Sequence, residues 1–194
     1  MEWFRLSATH NETALFGGNR SGKTVAGCYA DAVHLTGLYP EWWEGKRYNE
    51  PIEAWCAGDT AKNVRDILQT MMLGKAGDES AKGTGMLPAH TILRTTVKHG
   101  LEDAVESVFI RHVPTGAVST LQFKSYDQGR EAFQGTSQHL IHLDEEPPIE
   151  VYTECLLRTM TVEGLIELTA TPLQGLTKLM LEFLPQLAPT ESPK

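Results

Sequence analysis

The most informative segment of this 194-residue chain is Gly17-Gly18-Asn19-Arg20-Ser21-Gly22-Lys23-Thr24. It matches in full the pattern GxxxxGK[ST], a glycine-rich loop whose backbone N–H groups surround phosphate oxygens. Gly17 and Gly22 are expected to adopt positive φ angles, which bring the backbone close to those oxygens. The ammonium of Lys23 suits the β- and γ-phosphates, and the hydroxyl of Thr24 suits Mg²⁺. The stretch therefore predicts a binding site for ATP and Mg²⁺.

The flanks of this loop have the strand–loop–helix order that the pattern requires. The apolar run Thr13–Phe16 predicts a strand that ends at the loop, and residues from Lys23 to about Leu38 repeat apolar side chains at helical spacing. A helix that begins at the loop points its positive dipole end at a bound anion. These flanks argue against the alternative of a glycine-rich turn with an incidental lysine.

The rest of the chain alternates predicted strands with predicted helices. Strands are expected at Ile52–Ala57, His139–Leu143 and Gly164–Thr169, and helices at Ala61–Leu73 and Pro148–Met160. This alternation is typical of an α/β domain whose central sheet is mostly parallel and flanked by helices. We expect one P-loop NTPase domain over residues 1–194.

Two segments depart from the alternation. Two β-rich runs, Glu106–Val113 and Ala117–Phe123, are joined through Pro-Thr-Gly and predict an inserted β-hairpin. Residues Gly74–Pro88 are rich in Gly, Lys, Asp and Ser, which predicts a mobile surface loop. Lys75 and Lys82 in that loop are candidates for contacts with DNA or a partner, although the sequence favours a solvated loop.

A second nucleotide-site element is predicted where the apolar strand His139–Leu143 ends in Asp144-Glu145-Glu146. An Asp at this place binds Mg²⁺, usually through water. The next residue, Glu145, is placed to polarise an attacking water as the catalytic base. Glu146 is the ambiguous neighbour, and Glu145 is preferred because it follows the Asp directly. Taken alone, these carboxylates would serve equally well as caps for the following helix.

Two threonines lie where the next predicted strand ends, in Leu168-Thr169-Ala170-Thr171-Pro172. Hydroxyls at the carboxyl edge of an open α/β sheet face the ligand crevice. Thr169 and Thr171 are therefore expected to contact the nucleotide site and to relay loss of the γ-phosphate. A β-branched strand end before a proline turn is the alternative.

Three arginines are candidates for stabilising the charge that develops on the γ-phosphate during transfer. Arg20 lies inside the loop and is expected to act on its own nucleotide. Arg130 lies on a predicted loop or short helix before the acidic strand and is a candidate for a neighbouring subunit's ATP. Arg158 is a third candidate. For Arg130 and Arg158, a solvated or structural role is as well supported by the sequence.

Composition sets limits on other functions. The net charge of −8 does not favour broad electrostatic binding of DNA by this chain alone, so a local patch, another domain or oligomerisation would have to supply that contact. Three dispersed cysteines, Cys28, Cys56 and Cys155, favour buried apolar roles over a disulfide framework or a zinc site. No apolar run reaches the ~18 residues of a membrane span, and the N-terminus Met1-Glu-Trp-Phe-Arg lacks the basic-then-apolar layout of a signal peptide, so an intracellular protein is expected.

Taken together, the motifs resemble the large terminase subunit of tailed bacteriophages. The matching segments are Phe16–Thr24, Phe133–Gly135, His142–Pro147, Tyr152–Arg158, and Thr169–Leu173 followed by Gly175. They extend over most of the chain, from about Leu15 to Leu184. An Arg within the phosphate loop is characteristic of that family.

The resemblance implies a RecA-like ATPase domain that threads double-stranded viral DNA into a procapsid. Its implied partners are DNA, the portal protein, the small terminase subunit and further copies of itself in a ring. Asp144 matches the family's Mg²⁺ residue, Glu145 its catalytic base, and Thr169-Ala170-Thr171 its coupling motif. The implied location is the cytoplasm of the infected bacterium and not the mature virion.

The chain departs from the family pattern in two ways. Family members usually carry a C-terminal nuclease domain with acidic metal ligands, and more sequence before the phosphate loop that contacts adenine. Here the chain stops at Lys194, and sixteen residues precede Gly17. We therefore expect an isolated ATPase domain, either cut from a longer protein or naturally short. It should lack nuclease activity, and its nucleotide affinity should be weakened if the adenine contacts are incomplete.

Two other functions fit part of the pattern. A helicase-like P-loop motor would share the Thr-Ala-Thr coupling element, but a helicase normally needs two such domains. A nucleotide-gated binding module would clamp DNA or a partner without turnover. The intact set of Lys23, Thr24, Asp144 and Glu145 argues against the second alternative.

Overall fold

The structure is a computed structural model that describes residues 2–172, 175 and 177–184. Its elements, in chain order, are α1 (Glu2–Leu6), β1 (Glu12–Phe16), α2 (Lys23–Thr36), β2 (Glu53–Gly58), α3 (Ala61–Asn63), a π-helical segment (Val64–Gln69), α4 (Thr70–Leu73), β3 (Ile92–Val97), β4 (Val105–Arg111), β5 (Val118–Ser125), β6 (Leu140–Asp144), α5 (Ile149–Thr159), β7 (Leu165–Ala170) and α6 (Lys178–Phe183). No helix among the described residues is long and apolar enough to span a bilayer.

The seven strands form one sheet in the order β1-β7-β6-β2-β5-β4-β3. Five neighbouring strands are parallel: β1, β7, β6, β2 and β5. Strand β4 pairs antiparallel with β5, and β3 pairs antiparallel with β4 at the edge of the sheet. The predicted α/β class with a mostly parallel sheet is therefore confirmed. The predicted hairpin corresponds to β4 and β5, and β5 joins the parallel sheet directly by pairing with β2.

Side chains alternate between two apolar layers because successive residues of a strand point to opposite faces. In β2, Ala54 and Cys56 lie in the core beneath α2 and the π-helical segment, whereas Trp55 and Ala57 lie in the core beneath α5. All three cysteines are buried and free, as the sequence predicts. Helices thus cover both faces of the sheet, which leaves the carboxyl ends of the parallel strands as the place for a site.

The helix predicted over residues 61–73 is present, but its middle is π-helical from Val64 to Gln69. The loop predicted over Gly74–Pro88 is also present, but hydrogen bonds attach it to the preceding helix. The backbone N–H of Gly83 donates to the Leu73 carbonyl at 2.7 Å, and that of Leu87 donates to the Met72 carbonyl at 2.9 Å. Leu87 is fully buried.

Candidate functional site

The loop between β1 and α2 has the strained backbone expected of a phosphate cradle. Gly22 has φ 88°, in the left-handed region, as predicted. Gly17 does not, and the prediction of a positive φ there is wrong; a Cβ at position 17 would lie 2.9 Å from Oγ of Ser21, so the serine side chain would have to shift. Arg20 instead takes the positive angle, at φ 60°. A positive φ in a non-glycine residue marks strain that often belongs to function.

Lys23 opens α2 at the base of this loop. Its side chain is buried, and its Nζ donates to the carbonyl oxygen of Gly18 at 2.9 Å. This bond holds the ammonium within the loop whose amides would face phosphate. The positive charge of Lys23 and the positive dipole end of the 14-residue helix α2 therefore both lie at the phosphate loop.

The carboxylate of Asp144 faces the phosphate loop. Its Oδ1 accepts a hydrogen bond from the hydroxyl of Thr24 at 2.9 Å and another from the hydroxyl of Thr169 at 2.6 Å. Asp144 and Thr169 are register partners at the ends of the parallel strands β6 and β7. Three predicted site residues, distant in the chain, therefore meet on a single oxygen atom.

Glu145 is fixed beside them by its own unusual backbone. It has φ 62°, and its N–H donates to the Thr169 carbonyl at 2.7 Å. Its carboxylate accepts from the backbone N–H of Thr171 at 2.9 Å and lies 3.3 Å from the Thr171 hydroxyl. The second threonine of the predicted coupling motif thus holds the predicted base.

The structure separates Glu145 from Glu146. Glu145 and Thr171 line one pocket together with the loop residues Asn19 to Val25, whereas Glu146 accepts a hydrogen bond from Thr177, the N-cap of α6. The sequence favoured Glu145 over Glu146 as the catalytic base only because Glu145 follows Asp144 directly. Their different partners favour Glu145 as the group that faces a nucleotide.

Arg20 lines this same pocket, but the other two arginines are tied to α5. Nε of Arg130 donates to Oε2 of Glu154 at 2.9 Å, and Nη2 of Arg158 lies 3.0 Å from Oε1 of the same carboxylate. Glu154 is buried, and Arg158 also donates to the Gly135 carbonyl. These contacts favour the structural role for Arg158, whereas Arg130 keeps a side chain that is 54% exposed.

Sequence reasoning missed Tyr126, which ties the strand ends together. Its hydroxyl lies 3.1 Å from the carbonyl oxygens of both Asp144 and Glu145. Burial, and then the nearby charge of Asp144, raise the pKa of Tyr126 well above its ordinary value. The hydroxyl therefore stays protonated and donates to the backbone that presents both carboxylates. No motif marks such a residue.

A buried polar cluster beneath the site was missed as well. Nδ1 of His142 is hydrogen-bonded to Oδ2 of Asp31 at 2.7 Å, and Nε2 is 3.0 Å from the hydroxyl of Thr169. Burial lowers the pKa of His142, but the charge and hydrogen bond of Asp31 outweigh it and raise the value to about 10. Cys28 lies near enough for a three-ligand metal group, yet both ring nitrogens of His142 are already used in hydrogen bonds.

The residues present fit ATP with Mg²⁺. A hydroxyl and a carboxylate, from Thr24 and Asp144, are the hard oxygen donors that Mg²⁺ prefers, and they lie 2.9 Å apart. The buried ammonium of Lys23 supplies the compensating charge for phosphate.

Comparison with known proteins agrees with this geometry. The family model described as "Terminase large subunit, T4likevirus-type, N-terminal" matches residues 14–193. This chain belongs to the terminase large subunit family. It is 32% identical to the terminase large subunit of Salmonella phage P22 over 197 residues, which covers 92% of this chain and 40% of that protein. The chain thus spans less than half the length of this curated relative.

Solved large terminases share the fold. The large terminase of a thermophilic bacteriophage superposes with a TM-score of 0.64 at 13% identity, over 93% of this terminase chain and 39% of the other. An arginine-to-alanine mutant of the Thermus phage P74-26 large terminase ATPase domain gives 0.56 at 15% identity, over 86% and 63%. The α/β fold of this chain is therefore the RecA-like fold of terminase ATPase domains.

Several residues that carried the resemblance are structural in this terminase. Phe133 is fully buried and packs edge-on against Trp55, with ring centroids 5.7 Å apart. Tyr152 is also buried and donates to the carboxylate of Glu12. Leu173, the last residue of the Thr169–Leu173 match, lies outside the described residues.

Proposed function

We propose that this terminase domain hydrolyses ATP to drive double-stranded viral DNA into a procapsid. The observation that supports the proposal best is the convergence of Thr24 and Thr169 on one oxygen of Asp144, with Glu145 at the same edge. Those residues come from three separate segments of the chain. A clamp without turnover has no need of a base held beside the loop.

Each residue has a distinct part in the proposed reaction. The amides of the loop and the ammonium of Lys23 bind the triphosphate and orient its γ-phosphate. Mg²⁺, held by Thr24 and Asp144, would neutralise charge on the phosphate oxygens. Glu145 orients the attacking water and accepts its proton.

Arg20 and Arg130 are proposed to stabilise the charge of the transition state from two sides. Arg20 lines its own pocket and acts in the same chain. Arg130 is half exposed, and the buried carboxylate of Glu154 fixes the base of its guanidinium at the surface. That position suits an arginine that acts on the ATP of a neighbouring subunit in a ring.

Thr169 and Thr171 are proposed to couple the nucleotide state to movement. Thr169 binds Asp144, and Thr171 binds Glu145. Because both belong to the segment at the end of β7, a change at either carboxylate is transmitted to the same stretch of chain. That stretch leads to α6.

The partners and location that we propose rest on the resemblance to the family and not on the geometry of the site. We propose DNA, the portal protein and the small terminase subunit as partners, a homo-oligomeric ring as the working state, and the cytoplasm of the infected host as the place of action. The net charge of −8 means that DNA contact depends on the assembled ring or on other regions of the protein.

The adjacent glutamates give a matched test of the proposed turnover. Glu145→Gln is expected to lower kcat about 100-fold or more and to keep ATP binding, because it removes a base and no phosphate contact. Glu146→Gln is the control and should retain turnover, since its partner is Thr177. Phosphate release is measured with and without DNA, and binding is measured with a fluorescent ATP analogue, with Lys23→Ala as the variant that fails to bind.

Turnover by Glu145→Gln at the parent's rate would remove Glu145 from the role of base. If the parent binds ATP and releases no phosphate in the presence of DNA and the portal, the proposed hydrolysis itself is wrong. In that case the domain is a nucleotide-gated binding module.

A further inference from the structure

A chain of four buried side chains runs from α2 to the nucleotide site. Asp31 is bonded to His142 at 2.7 Å, His142 to Thr169 at 3.0 Å, and Thr169 to Asp144 at 2.6 Å. Asp31, His142 and Thr169 are fully inaccessible to solvent. Water therefore does not compete for these bonds, which makes each of them stronger than at the surface.

The order of donors in this chain follows from proton accounting. Asp144 presents a carboxylate oxygen, so the one hydroxyl proton of Thr169 is donated to it. The Thr169 oxygen then accepts from Nε2 of His142, and Nδ1 donates to the carboxylate of Asp31, so in this arrangement the ring carries a proton on each nitrogen. The imidazole thus fixes the direction in which the Thr169 hydroxyl points.

The imidazole itself is fixed by close contact with α2. A Cβ at position 27 would lie 2.3 Å from Nε2 of His142, so only glycine allows the ring to take this place. The helix that begins at the phosphate loop and the ring that orients Thr169 are therefore packed against each other without space between them.

Thr169 is also the donor on which Asp144 depends when nucleotide is bound. In the structure, Thr24 and Thr169 share Oδ1 of Asp144. The hydroxyl of Thr24 is assigned to Mg²⁺ in the proposed function, so Thr169 is left as the hydroxyl that orients the carboxylate.

We propose that His142, held by Asp31, is a positioning residue that sets the hydroxyl of Thr169 and, through it, the carboxylate of Asp144 toward Mg²⁺·nucleotide. The inference rests on the proposed nucleotide site. His142 is not one of the described residues that line the pocket at the phosphate loop. It therefore acts on the nucleotide site only through Thr169.

Two substitutions of His142 separate positioning from packing. Asparagine places its amide nitrogen near the position of Nδ1 and keeps the bond to Asp31, whereas glutamine places it near Nε2 and keeps the donor to Thr169. His142→Asn is expected to lower kcat about tenfold and to raise KM for Mg²⁺·ATP by a similar factor, and His142→Gln to stay within about threefold of the parent in both constants.

A second pair of substitutions tests the same link from the threonine. Thr169→Val removes the hydroxyl and should lower kcat as His142→Asn does. Thr13→Val is the control, because Thr13 is a buried threonine on β1 whose hydroxyl has no hydrogen-bond partner in the described part of the chain. In the double variant of His142→Asn and Thr169→Val, the loss should not exceed that of the worse single change, since both cut one path.

A binding readout separates this inference from the proposed turnover. ADP affinity is measured by calorimetry with Mg²⁺ and with a chelator. His142→Asn and Thr169→Val should weaken the Mg²⁺-dependent affinity about tenfold and leave the metal-free affinity unchanged. If the variants show this pattern but the parent releases no phosphate, the proposed hydrolysis fails and the positioning role stands.

Equal behaviour of the His142→Asn and His142→Gln variants, impaired or unimpaired, would overturn the positioning role. Additive losses in the double variant would do the same. Thermal unfolding of each variant is recorded first, and if His142→Asn does not fold, the comparison of Thr169→Val with Thr13→Val decides the question.

Discussion

At the residue scale, the important feature of the site is that its two carboxylates, Asp144 and Glu145, have different hydrogen-bond partners. Asp144 and Glu145 are neighbours in sequence, but the positive φ of Glu145 turns the two side chains to different partners. Thr169 holds the first, and Thr171 holds the second. One pair of threonines thus fixes both acidic groups.

The hydroxyl of Thr171 gives the first prediction at this scale. Thr171→Val keeps the backbone N–H that binds Glu145 and removes the hydroxyl that lies 3.3 Å from it. We expect kcat to fall about fivefold with ATP affinity unchanged, because only one of two bonds to the base is lost. Thr171→Ser retains the hydroxyl and should behave as the parent in steady-state phosphate release. A valine variant with parental kcat would show that the hydroxyl does not orient the base.

The sequence predicted the residues that would contact the nucleotide better than the buried residues that hold them in position. The phosphate loop, Asp144 and Glu145 follow from local patterns in which the chemistry dictates the residue type. Tyr126 and Asp31 were missed because their partners lie 18 and 111 residues away in the chain, and no local pattern encodes such a contact. His142 lies within the predicted strand His139–Leu143 and the matching segment His142–Pro147, but neither pattern assigns it a role.

At the element scale, α2 and β6 approach closely beneath the loop, and Gly27 is the residue that permits it. Ala at this position would place a Cβ 2.3 Å from the His142 ring, between two elements that cannot separate without disturbing the core. The helix that carries Lys23 and Thr24 is therefore located by a contact outside the loop motif.

Gly27→Ala is expected to lower the melting temperature by about 5 °C or more, since overpacking a close-packed interior forces backbone shifts. Gly18→Ala is the control for thermal unfolding, because a Cβ there meets no atom within 4 Å. If the two variants unfold at the same temperature in calorimetry, α2 and β6 do not pack as closely as described.

The elements that the sequence missed are short or exposed. β3 is an edge strand with exposed and half-buried residues in the order Ile-Leu-Arg-Thr-Thr-Val, so it lacks the alternation of a half-buried strand. α1 has five residues, too few for a helical period to be recognised. Strands β6 and β7, which carry Asp144 and Thr169, were predicted because they are buried along their length and mostly apolar.

At the scale of the whole molecule, the sheet holds a buried acid that has no part in the proposed reaction. Glu167 on β7 is the register partner of His142, and its Oε2 has no hydrogen-bond partner among the described residues. Burial, and then the charge of Asp31, raise the pKa of Glu167 to about 8, against the smaller opposing effect of His142.

This raised pKa predicts that folding stability depends on pH. The folded protein keeps the Glu167 proton up to about pH 8, whereas an unfolded chain releases it near its ordinary value. The stability it contributes is therefore fully present below about pH 4.3 and is lost as the pH rises toward the folded pKa.

Glu167→Gln removes this dependence, because an amide does not titrate. We expect the variant and the parent to melt at similar temperatures at pH 5, and the variant to melt at least ~2 °C higher at pH 8.5. Glu131→Gln, at an exposed position, should differ from the parent equally at both values. A constant difference between Glu167→Gln and the parent across this range would contradict the raised pKa.

The sharpest test of the nucleotide site is a crystal structure of this domain with Mg²⁺ and a non-hydrolysable ATP analogue. We predict that the loop amides and Lys23 surround the β- and γ-phosphates, with Asp144 directed at the metal and Glu145 at the γ-phosphate. A nucleotide bound elsewhere, or a bound nucleotide whose metal lies away from Asp144, would contradict the proposed site.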